Sequence, residues 1–456
     1  MDDLNMVNRR ALDPGQVGNR MAGARLHARQ SSTGSTPATN ITMTPPTYDA
    51  SPVHGRPLSQ EAMVAAVKKH AASREWRAVL RITQQTMQRK CTSAEMVQMR
   101  LCRAVAHIQM KQPKLAGEEL EAMREAQQGD GGAQHGSKAI PFAARLLRAE
   151  LPALQNNVSL SIDFLHNLLE ACRTEIKRGV AAKKGQEATL VGCVDLEGEG
   201  EGELRVSAGR SLLSASDVAY MGSAGLCLWY LQPPSAEGDD LFTVNDFLEG
   251  KTAPDTVNAW RKRETSVLIC IIAKFLVLRE YGNALVMLRD LRKMYPNDIT
   301  LLCGILRVYM QLGNTVQAEK CLRDATELAG VEPSGEDWVQ LQMSKGFLSL
   351  AADDYGGAIS HFDAILSRVP TNFIAANNRA IALLLSCRLG DAISSLEDML
   401  RSSPEKFVNE QLVFNLCTMY DLQSDSSVEK KKYIMGLVQK YGGDGFDVSV
   451  VKMPPS

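Results

Sequence analysis

From residue 257 onward the apolar side chains recur at helical spacing, and the helices themselves recur as units. Four alanines, Ala284, Ala318, Ala358 and Ala392, stand 34, 40 and 34 residues apart. Four positions after each comes a bulky apolar residue: Leu288, Leu322, Phe362 and Leu396. Residues i and i+4 share one face of a helix. Each pair therefore predicts a helix whose small residue admits a neighbouring axis and whose large residue fills the adjacent hole. Upstream of the pairs a second helical period, with Leu302, Ile305 and Tyr309 as its interior positions, predicts a partner helix. Pro296, Pro370 and Pro404 close three of the units, and Gly330 stands at the equivalent place in the other. Proline cannot donate a backbone hydrogen bond, so it ends a helix.

A 34-residue period with small, bulky and proline positions in this order is the tetratricopeptide signature. It predicts an all-α fold, a superhelix of helical hairpins, over 257–450. The 40-residue interval reflects an insertion around Val331–Asp337, with Ser334 as the expected cap of the next helix. A fifth, degenerate unit pairs Glu410–Asp421 with Ser427–Gln439. It carries Ser426 at the small position and Lys430 at the bulky one, and Phe414 is expected inside this last hairpin. Polar character of this kind fits a terminal capping repeat.

The rest of the chain divides by composition. Residues 1–56 are rich in Ser, Thr, Pro, Gly and Arg without periodicity and read as a disordered tail. Residues 57–180 read as N-terminal helical hairpins. Met63, Ala66 and Val67 share one face, Trp76, Val79, Leu80 and Ile82 a second, and Met96, Met99 and Val105, then Leu115, Leu120 and Met123, continue the pattern. Pro141 suits a first helical turn, whereas Pro152 interrupts the periodicity. Residues 181–256, with KKGQ, EGEGEGE and PPSAEGDD, read as a low-complexity insertion and a connecting helical segment. The opening MDDLNMVNRR is not expected to act as a signal or transit peptide. No apolar run reaches the ~20 residues needed to span a bilayer, so membrane association is expected to be peripheral.

Composition then narrows the function classes. The formal net charge is −1, from 51 basic and 52 acidic side chains, which gives no electrostatic reason to expect nucleic acid as a partner. Ten cysteines form no CxxC pair. Cys270, Cys303, Cys321, Cys387 and Cys417 fall in apolar helical patterns and read as small buried hydrophobes. The seven histidines are dispersed, with His107 and His166 lacking ligand partners one turn away and His361 expected at a surface or groove, so no metal site is expected. There is no Walker loop, dinucleotide fingerprint, HExxH or GxSxG, and no cofactor, catalytic residue or enzymatic activity is expected.

Repeat spacing assigns Ile269, Leu276, Cys303, Met310, Met343, Phe347, Ile374, Asn377 and Ile381 to the concave face of the first helices. This mostly apolar stripe has two readings: a groove for an amphipathic partner helix, or an extra core layer covered by the chain's own N-terminal helices. A clamp for a peptide carboxylate, as in chaperone adaptors, is disfavoured. Asn378 is suitably placed, but Met343, Phe347, Val408 and Leu412 stand where cations are needed to offset carboxylate desolvation.

The C-terminal units are more specific than a generic repeat. ANNRAIALLLSCRLGDAISSLEDMLRSSP, FNLCTMYDL, SVEKKK and GDGFDV resemble the subunit-12 family of the trafficking protein particle (TRAPP) complex. PFAARLLRAEL, AWRKRE and LLCGILRVYMQLGNTVQAEKCLRDA are similar to the same family in the same order, and SREWRAVLRI more weakly. Leu306 departs from it, standing where the family tends to glycine, and the family's long N-terminal extension is reduced here to a short tail. The resemblance implies a non-catalytic scaffold subunit of a vesicle-tethering complex in endoplasmic reticulum-to-Golgi transport and autophagy. Expected partners are large peripheral TRAPP subunits such as eight and eleven, with an indirect link to a Rab1-type GTPase. The expected location is the cytoplasm, peripheral at Golgi and intermediate membranes. The alternative is a repeat adaptor of another class, such as a chaperone or assembly co-factor.

Two substitutions test the register. Ala358→Leu and Ala392→Leu should overpack helix contacts and cost roughly 1–3 kcal/mol each; unchanged melting temperatures in both would displace the register. With Phe414 in the last hairpin's interior, Phe414→Ala is expected to cost ~3–5 kcal/mol.

Overall fold

Seven times among the described residues the chain reverses direction through the same two-residue turn. Arg74, Lys111, Asn156, Arg279, Gly313, Asp353 and Cys387 all adopt positive φ, between 59° and 73°. In each case the next residue's N–H donates to the carbonyl five positions back, as in Glu280 to Phe275 (2.8 Å) and Asn314 to Tyr309 (2.9 Å). The left-handed residue's own N–H donates three back, as in Arg279 to Leu276 (3.1 Å). This pair of bonds satisfies the last carbonyls of one helix. The next helix then starts at once, so the two run antiparallel.

The structure is a computed structural model and describes residues 60–89, 93–128, 142–191 and 256–453, apart from 332, 334 and 424–426. The tail expected at 1–56, most of 181–256, and Pro141, Ser334 and Ser426 lie outside the described residues. Three hairpins come first: α1 (Gln60–Ala72) with α2 (Trp76–Met87), α3 (Ser93–Gln109) with α4 (Pro113–Gln128), and α5 (Phe142–Leu154) with α6 (Val158–Val191). Four more succeed them: α7 (Thr256–Val277) with α8 (Tyr281–Met294), α9 (Ile299–Gln311) with α10 (Thr315–Ala329), α11 (Gly335–Ala351) with α12 (Tyr355–Arg368), and α13 (Phe373–Leu385) with α14 (Leu389–Ser402). The short α15 (Pro404–Phe407) leads to α16 (Glu410–Gln423) and α17 (Ser427–Tyr441), and a 3₁₀ turn spans Val448–Val451. Helices adjacent in sequence pack together throughout, giving an all-α array of hairpins of the tetratricopeptide type.

The turn also fixes the register of the helix after it. Five residues past each left-handed position comes a fully buried one: Val79, Ala116, Ser161, Ala284, Ala318, Ala358 and Ala392. Four further on, Thr83, Leu120, Leu165, Leu288, Phe362 and Leu396 are buried, and Leu322 is half-buried. The four-alanine rhythm thus belongs to a series of seven that includes the N-terminal hairpins. Close approach is visible at Gly346, where an added Cβ would meet Phe362 Cε1 at 2.6 Å. Phe362 in turn meets Phe347 edge-on, with ring centroids 6.1 Å apart.

Several local expectations change. Pro152 does not break its helix: it sits in the last turn of α5, and its carbonyl accepts the turn bond from Asn157 (2.9 Å). α6 runs on through Lys183–Gln186, beyond the expected boundary at 180. Cys387 is not a buried hydrophobe but an exposed, left-handed turn residue. In the last hairpin the interior register falls one residue later than expected, on Ser427, Lys431, Ile434 and Val438. Phe414 is not enclosed there; it lies 36% exposed on α16, with Lys452 Nζ 3.9 Å from its ring centre. The apolar positions of α16 that face inward are Leu412, Val413, Leu416, Cys417, Met419 and Tyr420.

The two groups of hairpins meet across α6 and α7, which pack side by side although residues 192–255 separate them in sequence. Trp260 of α7 meets Phe142 of α5 edge-on at 6.3 Å. Arg173 Nε bonds Glu264 at 2.9 Å, and Lys274 Nζ lies 3.1 Å from the buried Glu150.

These placements rank two phenylalanines. Phe362→Ala should cost ~3–5 kcal/mol. Phe414→Ala should cost clearly less, because much of its ring already meets water. Chemical denaturation of both variants checks the order, and equal losses would contradict it.

Candidate partner-binding surface

The stripe assigned to a concave groove is largely interior. Leu276, Cys303, Met343, Phe347, Asn377 and Ile381 are buried, while Ile269, Met310 and Ile374 are half-buried. The neighbouring hairpin covers them. Met310 packs against two adjacent clusters, one around Ile305 and Leu306 and one around Met343 and Phe347. The N-terminal helices do not fill a groove; they extend the array, and α5 and α6 make its principal contact with α7. Only Ile269, Met310 and Ile374 therefore keep any accessible apolar surface from the expected stripe.

The positions of the carboxylate clamp are closed as well. Asn378 is 1% exposed and donates to the Ile374 carbonyl of its own helix at 2.9 Å. Asn377 Oδ1 accepts from Asn415 Nδ2 at 2.8 Å, tying α13 to α16 inside the array. Met343, Phe347, Val408 and Leu412 are buried. A peptide carboxylate meets neither space nor a cation there.

Polar groups instead staple successive hairpins along their outer edges. Arg292 of α8 reaches Asp324 of α10 (3.5 Å), and Arg379 of α13 bonds Asp363 of α12 and Ser395 of α14 (3.1 Å to Ser395 Oγ). The Tyr420 hydroxyl donates to Glu397 at 2.9 Å; burial and this carboxylate push its pKa up. His361 Nδ1 lies 2.9 Å from Gln342 Oε1, and partial burial lowers its pKa.

Among the described residues no group of three or more His, Cys, Asp or Glu is placed to hold a metal ion. Cys102, Cys172, Cys270, Cys303, Cys321 and Cys417 are buried free thiols. Burial pushes Cys102 and Cys417 up to about 12 and Cys172 up to about 11, so these thiols stay protonated at neutral pH and act as packing atoms. No helix among the described residues is long and apolar enough to cross a membrane.

One buried polar feature escaped the sequence. Lys431 occupies the bulky position of the last hairpin, where the other units hold Leu, Phe or, in the first, Thr83, and its side chain is 3% exposed. Its ammonium donates to Asp421 (2.8 Å) and to the Lys452 carbonyl (2.9 Å). It thereby pins the segment after α17 against α16. In a run of three lysines nothing marks the middle one as interior; the one-residue shift of register decides it.

No family model matches the chain. Among curated proteins it is similar to trafficking protein particle complex subunit 12 of Mus musculus, 32% identical over 199 residues, which is 43% of this chain and 25% of that protein. The Homo sapiens protein of the same name is 31% identical over 206 residues, 45% of this chain and 28% of its own length. The chain thus aligns with little more than a quarter of the length of the curated relatives it matches. Among solved structures, a tetratricopeptide repeat protein from Parabacteroides merdae covers 78% of this chain and 96% of its own at 12% identity and a TM-score of 0.38. Yeast Tom70 covers 84% of each chain at 10% identity and a TM-score of 0.31.

The lysine yields an asymmetric prediction. Lys431→Met removes a buried charge but keeps the shape, and should be near neutral in stability. Asp421→Ala leaves the ammonium short of a charged acceptor and should cost roughly 1.5–3 kcal/mol. Thermal melts of the two variants compare them, and a larger loss for Lys431→Met would refute the assignment.

Proposed function

We propose that this chain is a non-catalytic scaffold subunit of a TRAPP-type vesicle-tethering complex. The observation that carries the reading is the similarity of 199 residues to subunit 12 at 32% identity. The hairpin array supports it, since stacked hairpins present extended surfaces for protein partners. The partners on this reading are the large peripheral subunits, such as eight and eleven. The link to a Rab1-type GTPase is indirect, through the rest of the complex. The processes served are endoplasmic reticulum-to-Golgi transport and autophagy. The chain would reside in the cytoplasm and meet Golgi and intermediate membranes only through the assembly. Partner contact would use the half-exposed Ile269, Met310 and Ile374 together with the polar edges of the hairpins.

The chaperone-adaptor alternative is weakened by the closed clamp positions, where Asn378 and its flanking apolar residues are buried. Affinity purification of the full chain from its own cells, followed by mass spectrometry, separates the readings. Recovery of several TRAPP subunits is expected. Recovery of none, or tight binding of a chaperone C-terminal peptide to the purified chain, would overturn the proposal.

A further inference from the structure

The last segment of the array returns to its first two turns. The Asp444 N–H donates to the Arg74 carbonyl at 3.1 Å, and Asp444 Oδ2 accepts from the Arg77 N–H at 2.8 Å, across 367 residues of sequence. Arg77 lies in the first turn of α2, whose own cap residue, Glu75, makes no side-chain cap bond. The carboxylate that caps α2 thus comes from the far end of the described chain, where it also meets the positive end of the helix dipole. The second turn is engaged too: Lys111 Nζ lies 2.8 Å from Glu410 and 3.8 Å from Asp447. Arg74 Nη1 donates to the Val408 carbonyl at 3.3 Å.

The fit is one of backbone against backbone. A Cβ on Gly445 would stand 2.1 Å from the Gln109 carbonyl oxygen. Gly443 has φ +74°, and a Cβ there would stand 2.7 Å from Arg74 Cβ. Side chains at either position would lift the segment off the turns. The segment is also held ready on its own side. Asp447 N–H donates to Glu410 Oε1 at 2.8 Å, and the Asp447 carboxylate, its pKa lowered by Ser449 and Lys111, caps the 3₁₀ turn. Lys431 fixes the carbonyl of Lys452.

We propose that the first two hairpin turns form a docking site for an acidic, glycine-flanked segment. The occupant is this chain's own Gly443–Asp447, which clasps the array end to end. The clasp sets the curvature of the array, and with it the hairpins that one rigid partner can touch at once. It goes beyond the proposed function and does not depend on which partner binds. Because Lys111 and Glu410 are about half-exposed (54% and 43%), salt should weaken that part of the clasp.

Amide hydrogen exchange on the full chain tests this, alongside solution scattering. In the wild type, the amides of Arg77 and Asp444 should be protected. Asp444→Ala and Gly445→Val should each raise exchange about tenfold or more at the α1–α2 turn, far from the substitution, and enlarge the radius of gyration. Lys111→Glu should reciprocally raise exchange at residues 443–447. Should Gly445→Val fail to fold, Asp444→Ala and Lys111→Glu carry the test. Unchanged exchange across the two ends in these variants would overturn the clasp. Protection that rises with protein concentration together with a dimer in sedimentation would also overturn it, because the segment would then be serving a second copy.

Discussion

Everything in this fold hangs on a turn of two residues. One residue accepts a left-handed conformation, and the next sends its N–H five positions back. That second residue also begins the following helix. In the third, fifth and sixth turns it is Asn157, Asn314 or Asp354, whose side chain caps that helix. The geometry leaves no slack, so the residue five places past the turn always arrives against the preceding helix. It must be small, or at most Val, and the residue one helical turn on must fill space. The repeat is therefore a consequence of chain reversal as much as of core packing. Only Gly313 meets the left-handed requirement without steric cost; the other six turns accept a modest penalty because the surrounding helices over-determine them.

This explains which parts of the array are legible in the sequence. The four C-terminal units share alanine at the small position and near-constant spacing, so their period stands out. The three N-terminal units obey the same rule with Val79, Ala116 and Ser161, and with Thr83 at one bulky position. Ser161 is satisfied by donating to the Ala149 carbonyl at 2.7 Å, and Thr83 by bonding back to Val79 at 2.8 Å. Polar residues that resolve their hydrogen bonds locally leave no trace in a hydrophobic pattern. The cover over most of the stripe is hidden for a related reason: periodicity says which residues share a face, not whether a neighbour covers it. Phe414 shows the limit from the other side, since a large apolar residue on a helix of the right period still turns its ring toward Lys452 and water.

The polar end of the array has its own logic. In the last described hairpin a lysine takes the place that Leu or Phe holds in most of the earlier units. The ammonium is not a defect in packing; it reads out two oxygen atoms, one from Asp421 and one from the backbone at Lys452. An apolar residue there would fill the hole equally well yet specify nothing about the chain beyond it.

The pairing of α6 with α7 bears on how such a chain tolerates change in length. Arg173 and Glu264 join α6 to α7, and Phe142 of α5 meets Trp260 of α7, whatever lies between Val191 and Thr256 in sequence. The entropy of closing a loop grows slowly, by about 0.6 kcal/mol for each doubling of its length. Extra residues accommodated at this junction leave every two-residue turn intact, whereas the same residues placed in one of those turns would break the register of the helix that follows it. The junction is thus one place where the chain can change in length without disturbing a hairpin.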